Sequence, residues 1–296
     1  MSDEKRIQFD FAVTFLNGGG LQGHDFRLDI PGDDIGDDEL AEYLVRDLRL
    51  LMVQRVQITN KRIITEPHKR GAGTRHIDLS HTIEDGMLTY KGLPAPIICD
   101  YLSREDSRAN YAAGTEFQIG KIDMVANTGT YLDSPFHRFA NGHDLAELDL
   151  ASLANLDGVL IRVTGSGERA ISRAAFAAVD VRGRVVLAHT GWDRHWRTDQ
   201  YFEGHPFLTE DAATYLRDEG AALVGIDSYN IDDTANLSRP AHTILLGADI
   251  PIVEHLRGLE QLPIVGFRFT AVPPKVRGMG TFPVRAFATL KGHEQP

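Results

Sequence analysis

The chain has 296 residues, of which 42% are hydrophobic, and a formal net charge of -11 at pH 7. The excess of acidic side chains argues against partners such as nucleic acid and anionic membrane surfaces. Cys99 is the only cysteine in the sequence, so no internal disulfide can form, and we expect a cytoplasmic protein. We expect no signal peptide and no membrane span, because no apolar run approaches the length that either requires.

Residues 1 to 70 predict an N-terminal ββαβ module. Apolar residues alternate with others between Phe9 and Phe15, which is typical of a strand with one buried face. Acidic residues from Asp37 precede a leucine-rich stripe, as in an amphipathic helix. The predicted elements are a strand over 9–15, a glycine turn at 17–20, a strand over 26–30, the helix from Asp37 and a strand over 53–64. We expect this module to pack on the core or on a neighbouring subunit.

Residues 71 to 296 predict a second domain of mixed α/β structure. The polar, glycine-containing residues 66–74 mark the boundary before it. Thr209 is a suitable start for a helix that extends to Glu219, because acidic residues follow it directly. Short apolar runs predict buried strands over 159–163, 185–188 and 223–226.

Polar side chains are concentrated in residues 127–137, which include Asn127, Tyr131, Asp133 and His137. Apolar residues 122–125 precede them, so we expect a buried strand that opens into a turn. Polar groups at the end of a buried strand are a common arrangement for a functional site. The residues alone leave an alternative open, in which Asp133 forms an Asx-turn in an ordinary loop and His137 is solvated.

A second polar stretch follows the predicted strand over 223–226 and leads to His242 and Glu254. Pro251 and Gly258 bound a short predicted helix, with Asp249 as its N-cap, so Glu254 would lie on a rigid element. The carboxylates of Asp133 and Glu254 and the imidazole of His242 are a suitable ligand set for one divalent metal ion.

These segments resemble the cyclase family, which includes bacterial kynurenine formamidase, isatin hydrolase and a dienelactone hydrolase. The hallmark of that family is His-x-Gly-Thr-His-x-Asp-x-Pro-x-His, and residues 127–137 here are Asn-Thr-Gly-Thr-Tyr-Leu-Asp-Ser-Pro-Phe-His. The resemblance extends over residues 76 to 288. Its other matched segments are Asp78-Leu-Ser-His81, Gly86-Met87, Thr190-Gly-Trp192, Gly225-Ile-Asp-Ser228, the pair His242 and Glu254, Pro273-Pro-Lys-Val-Arg277 and Pro283-Val-Arg285.

The resemblance implies a swivelling β/β/α fold that carries its sites at strand ends, in a homodimer or homotetramer. Asp133, His242 and Glu254 match metal-ligand positions of the family, and His137 matches its acid/base. Asn127 and Tyr131 replace two histidines that bind metal in the family. An amide oxygen binds a transition metal more weakly than an imidazole does, and a phenol has a pKa near 10. We therefore expect one divalent metal ion, Zn²⁺ or Mn²⁺, instead of two.

The resulting functional prediction is a hydrolase that cleaves an amide, lactam or lactone bond of a small substrate, with aromatic compounds among the candidates. The metal would activate water and polarise the carbonyl. His137 would transfer the proton and Tyr131 would donate a hydrogen bond to the oxyanion. Asn127 and Trp192 would contact the substrate.

Two alternatives dispense with the metal. One is a small-molecule-binding protein that retains the pocket without the reaction. The other is a lyase or isomerase in which Tyr131 and His137 transfer protons unaided.

Overall fold

A computed structural model describes residues 4–16, 20–30, 32, 34–48, 50, 53–66, 74–165 and 167–290. These residues divide into two compact units, of which the second begins at Thr74. Residues 17–19 of the predicted glycine turn and the predicted domain boundary at residue 70 lie outside the described residues.

The N-terminal unit is an antiparallel three-stranded sheet with one helix, and the first strand of the chain lies between the other two. Leu40 and Leu44 on the helix are fully buried and belong to one core cluster with Ile7, Phe9 and Val13 of the first strand. The alternating apolar residues of the first strand therefore lie on the face of the sheet that packs against the helix. The predicted ββαβ order is confirmed. Its elements are β1 (Glu4–Phe15), β2 (Gly20–Asp29), α1 (Asp37–Asp47) and β3 (Val53–Glu66).

The second unit is built on a nine-stranded mixed sheet, in the strand order β15-β7-β13-β12-β10-β8-β14-β16-β4. The strands of this sheet are β4 (Arg75–Asp78), β7 (Tyr131–Asp133), β8 (Leu156–Arg162), β10 (Val185–His189), β12 (Leu223–Ile226), β13 (Ile252–Glu254), β14 (Val265–Thr270), β15 (Thr281–Pro283) and β16 (Phe287–Leu290). Its remaining helices and strands are β5 (Ile97–Leu102), α2 (Arg104–Ser107), β6 (Ile119–Asp123), β9 (Ala170–Ile171), β11 (Phe207–Leu208), α3 (Glu210–Asp218) and α4 (Pro240–Leu246).

The central strands β8, β10, β12 and β13 are parallel, and the strands next to them on the two sides, β14 and β7, are antiparallel to them. Successive residues of β10 alternate between two core clusters: Val185 and Leu187 belong to one, and Val186 and Ala188 to the other. Burial on both faces explains why the predicted strands are continuously apolar. The α/β class is confirmed. Sites in such sheets lie beyond the carboxyl ends of parallel strands, which here include the ends of β12 and β13.

Two predicted elements are corrected by the structure. Residues 251–258 contain no helix; Ile252–Glu254 form β13, because this short β-branched segment completes hydrogen-bonded ladders with β12 and β7. Asp249 has a φ of 57° and therefore is not an N-cap with extended backbone. The predicted buried strand over 122–125 is instead β6, which ends at Asp123, pairs with β5 and is exposed. None of the helices within the described ranges is long and apolar enough to cross a bilayer.

Candidate active site

A cavity of about 300 Å³ opens where β7 and β13 meet the segments that follow β12. The register pairs Tyr131 at the start of β7 with Glu254 at the end of β13, so both residues lie at the same end of the sheet. The residues that line the cavity are Tyr90, Leu93, Asn127, Tyr131, His137, Arg138, Asn230, Arg239, His242 and Glu254.

Asp133 and His137 are held together by Thr281. The Thr281 hydroxyl donates to Asp133 Oδ1, and its oxygen lies 2.8 Å from His137 Nδ1. A 3₁₀ turn over Pro135–His137 brings the imidazole back toward the end of β7. Gly280 permits this approach, because a Cβ there would lie 2.3 Å from the backbone nitrogen of His137. His137 remains partly exposed, whereas Asp133 is fully buried.

His242 lies in the first turn of α4 and is oriented by Asp232. Asp232 Oδ2 lies 2.6 Å from His242 Nδ1, and the same carboxylate accepts hydrogen bonds from the backbone N–H groups of Ala241 and His242. Since Nδ1 is occupied by this carboxylate, Nε2 is left for the cavity. A carboxylate on the far nitrogen of a metal-binding histidine is a recurrent arrangement in metal sites.

The other two predicted ligands, Asp133 and Glu254, lie near this Nε2 atom. It lies 3.7 Å from Asp133 Oδ2 and 3.8 Å from Glu254 Oε1. Asp133 Oδ2 is buried and has no hydrogen-bond partner among the described residues. Among the described residues, the group whose ligand atoms all lie within 4.8 Å of one another is Asp133, His137 and His242, so His137 takes a place in it where the sequence predicted Glu254. An unpartnered buried carboxylate oxygen beside an imidazole fits one divalent cation such as Zn²⁺ or Mn²⁺.

The protein's own charges shift the protonation of these groups. Burial alone would lower the pKa of His242, but the nearby carboxylates of Asp133, Asp232 and Glu254 outweigh it and raise that pKa to about 10. Burial raises the pKa of Glu254 to about 7. A metal ion that enters this site must therefore displace the proton on His242.

Tyr131 fills the space beside Glu254. Its hydroxyl donates to Glu254 Oε2 at 2.5 Å and lies 3.2 Å from the hydroxyl of Tyr90, which accepts from Asn230 Nδ2 at 2.7 Å. The backbone N–H of Ile231 donates to the other oxygen, Oε1, of Glu254. Burial and the nearby Glu254 raise the pKa of the Tyr131 phenol well above its ordinary value, so the phenol keeps its proton. A protonated phenol is a poor metal ligand.

Most of the residues that the sequence singled out are adjacent in space. Asn127, Tyr131, His137, His242 and Glu254 all line the cavity, with Asp133 buried against His242. Trp192 is not part of that lining, and its indole N–H donates to the backbone oxygen of Tyr201 at 3.0 Å.

Sequence reasoning missed Tyr90, Thr281, Arg138 and Arg239 as parts of this region. Tyr90 lies 41 residues from Tyr131, and Thr281 lies 148 residues from Asp133. No local pattern marks either of them. The pairing of β7 with β15 brings Thr281 to Asp133, and Tyr90 reaches the site from the segment between β4 and β5.

Asp232→Asn is expected to weaken metal binding by about 10- to 100-fold, because the amide no longer holds the His242 imidazole in a charge-assisted hydrogen bond. The measurement is a zinc titration by calorimetry. Asp233→Asn provides a matched control, since the side chain of Asp233 faces Arg169 instead of His242. Equal zinc affinities for the parent and Asp232→Asn would contradict the role of His242 as a ligand.

Several known proteins resemble this chain in sequence and in structure. The family model described as "Putative cyclase" matches residues 77–233. Kynurenine formamidase of Geobacillus thermodenitrificans is 31% identical over 183 residues, which cover 61% of this chain and 84% of the relative. The Bacillus cereus enzyme of the same name is 24% identical over 213 residues, which cover 71% of this chain and 95% of the relative.

Two solved structures share the fold. Isatin hydrolase A from Labrenzia aggregata, bound to benzyl benzoate, superposes with a TM-score of 0.64 at 20% identity and covers 75% of this chain and 95% of its own. A potential metal-dependent hydrolase with cyclase activity superposes with a TM-score of 0.61 at 26% identity and covers 75% of this chain and all of its own. The family model spans more than half of this chain, and the Geobacillus thermodenitrificans relative is 31% identical to it. This chain therefore belongs to the cyclase family.

Proposed function

We propose that the protein is a hydrolase that cleaves an amide or lactam C–N bond, or a lactone, of a small aromatic substrate. One divalent metal ion, Zn²⁺ or Mn²⁺, would be held by Asp133, His242 and Glu254. The observation that carries the proposal is the unpartnered buried Oδ2 of Asp133 at 3.7 Å from His242 Nε2. The relatives named kynurenine formamidase and isatin hydrolase support the reaction class.

When bound, such a metal supplies Lewis acidity toward a carbonyl and toward water. The protein's own residues carry out the proton transfer, and the Thr281 hydroxyl determines which nitrogen of His137 takes part in it. Since that hydroxyl donates to Asp133, its oxygen accepts from His137 Nδ1–H, which leaves Nε2 of a neutral His137 as the basic nitrogen. His137 would take a proton from water and pass it to the leaving nitrogen or oxygen.

In this proposal the role of Tyr131 differs from the one predicted from sequence. Its single hydroxyl hydrogen is donated to Glu254, so Tyr131 fixes the carboxylate in place. Donation to an oxyanion, the role expected from sequence, would require Tyr131 to give up this hydrogen bond. Asn127 lines the same cavity and remains the proposed amide contact to the substrate.

The test is hydrolysis of formanilide, isatin and a set of lactones by protein loaded with Zn²⁺ or Mn²⁺. We expect turnover that chelation removes, and His137→Gln should lower kcat by about 10²- to 10⁴-fold, the usual contribution of a general acid/base. His143→Gln is the matched control, because His143 is exposed and pairs with Asp249 away from the cavity. Ligand binding without turnover would instead favour the binding-protein alternative, and hydrolysis that survives metal removal would contradict the role of the metal.

A further inference from the structure

Two arginines form part of the wall of this cavity. Arg138 directly follows the turn that carries His137, and Arg239 directly precedes α4, which carries His242. Among the described residues that line the cavity, these two carry the permanent positive charges. Arg138 is exposed and Arg239 is half-buried, whereas Tyr131 and Glu254 are buried. The arginines therefore belong to the outer part of the cavity and the carboxylates to its floor.

Each guanidinium is anchored through one nitrogen to a neutral acceptor. Arg138 Nε donates to the Thr243 hydroxyl at 3.2 Å, and a terminal nitrogen of Arg239 donates to the backbone oxygen of Asp233 at 3.1 Å. An arginine carries five N–H donors, so several remain on each side chain.

Neither arginine has an acidic partner. Within the ranges that the structure describes, no carboxylate forms an ion pair with Arg138 or Arg239, although the chain has 42 acidic and 31 basic residues. Other arginines of the same unit do pair, as Arg285 does with Asp78 at 2.7 Å. Two unpaired guanidinium groups beside one cavity of such an acidic protein are available to an anion.

The backbone at Arg239 adds a second observation. Its φ of 48° and ψ of 62° lie in the left-handed region, which disfavours residues with a Cβ. Glycine or asparagine would adopt this conformation at a lower cost. Residues held in such a conformation are concentrated at binding and catalytic sites.

We propose that Arg138 and Arg239 bind a carboxylate on the substrate, so that the site selects small acids that also carry the scissile amide or ester. This inference rests on the proposed function for the identity of the scissile bond. A guanidinium binds a carboxylate through two parallel hydrogen bonds. The carboxylates of Asp133 and Glu254 repel an anionic group from the floor, which places it at the outer wall and leaves the neutral carbonyl near His242. A cavity of about 300 Å³ has room for one ring with both groups.

The first test compares two aryl formamides that differ in one carboxylate, N-formylanthranilate and formanilide. We expect the metal-loaded parent to show the higher kcat/KM with N-formylanthranilate. In Arg138→Gln and in Arg239→Gln, the ratio of the two kcat/KM values should fall by about 10- to 100-fold, mainly through KM, because a charged hydrogen-bond partner is lost. Arg138→Lys and Arg239→Lys keep the charge and should restore part of the ratio.

Arg182→Gln is the matched control, because Arg182 is exposed, pairs with Glu219 and does not line the cavity. An unchanged ratio in both cavity variants, or a parent that prefers formanilide, would overturn the proposal. If formanilide is nevertheless hydrolysed, the proposed hydrolase function stands without the anion site.

The second test needs no turnover. Calorimetric titration of metal-free protein with benzoate and with benzamide should show tighter binding of benzoate, and the glutamine variants should lose that preference. If neither formamide is hydrolysed but the benzoate preference is present and depends on Arg138 and Arg239, the anion site stands and the hydrolase proposal fails. If benzoate and benzamide bind equally to the parent and both glutamine variants, the anion site is wrong.

Discussion

Asp133→Asn is expected to abolish metal retention and hydrolysis. Asp133 is fully buried, its Oδ1 accepts from Thr281, and its Oδ2 faces His242 Nε2 without a hydrogen-bond partner. An asparagine can keep the hydrogen bond to Thr281, but it removes the negative charge and offers only a weak amide donor to a metal. Loss of a ligand costs more than loss of its supporting partner, so the metal affinity should fall by at least about 100-fold.

The measurement is metal content by mass spectrometry after dialysis, together with kcat on the best substrate of the panel. Asp249→Asn is the matched control: Asp249 is an exposed aspartate beside a histidine, and asparagine tolerates its left-handed backbone. Thermal unfolding shows whether each variant folds. A folded Asp133→Asn protein with the metal content of the parent would show that the ligands have been assigned wrongly.

The predicted fold agrees with the structure where hydrophobic periodicity is strong. The continuous apolar runs of β10 and β12 and the alternating pattern of β1 each identify their strands. Prediction fails at β13, where Pro251 and Gly258 are typical helix boundaries but the pairing of Ile252–Glu254 with two strands decides the conformation. A three-residue strand has too little local pattern to compete with helix signals.

The candidate site was predictable to the extent that its residues lie close in sequence or match a family motif. Asp133 and His137 are four residues apart, and His242 and Glu254 match the family's spacing. Tyr90 and Thr281 reach the site only through the fold, so no spacing reveals them. The roles predicted for Asn127, Tyr131 and Trp192 remain predictions. Assembly into a homodimer or homotetramer also remains a prediction.

The double change Asn127→His with Tyr131→His is expected to increase the metal bound by about one ion per chain. The two positions correspond to metal-binding histidines of the family hallmark. In this protein the phenol of Tyr131 fills the space beside Glu254 and donates to its Oε2. A histidine there removes that hydroxyl and leaves Oε2 with only the 3.4 Å hydrogen bond from Asn230 Nδ2. The two new imidazoles and Oε2 would then form a second set of three ligands. Hydrolysis of formanilide or a lactone should rise above that of the parent.

Titration of both proteins with Zn²⁺ and Mn²⁺ by calorimetry gives the stoichiometry. Asn127→His alone should gain no metal, because the Tyr131 hydroxyl still donates to Glu254 Oε2. Tyr131→Phe removes the hydroxyl without adding a ligand and should also gain none, while the lost hydrogen bond to a buried carboxylate lowers stability by about 1–3 kcal/mol. If the double variant loses stability or ligand binding and takes up no additional metal, the pocket has been rebuilt around the phenol, as the metal-free alternatives require. The stoichiometry of the double variant therefore decides whether Tyr131 stands in the place of a lost second metal ion or belongs to a site that works without one.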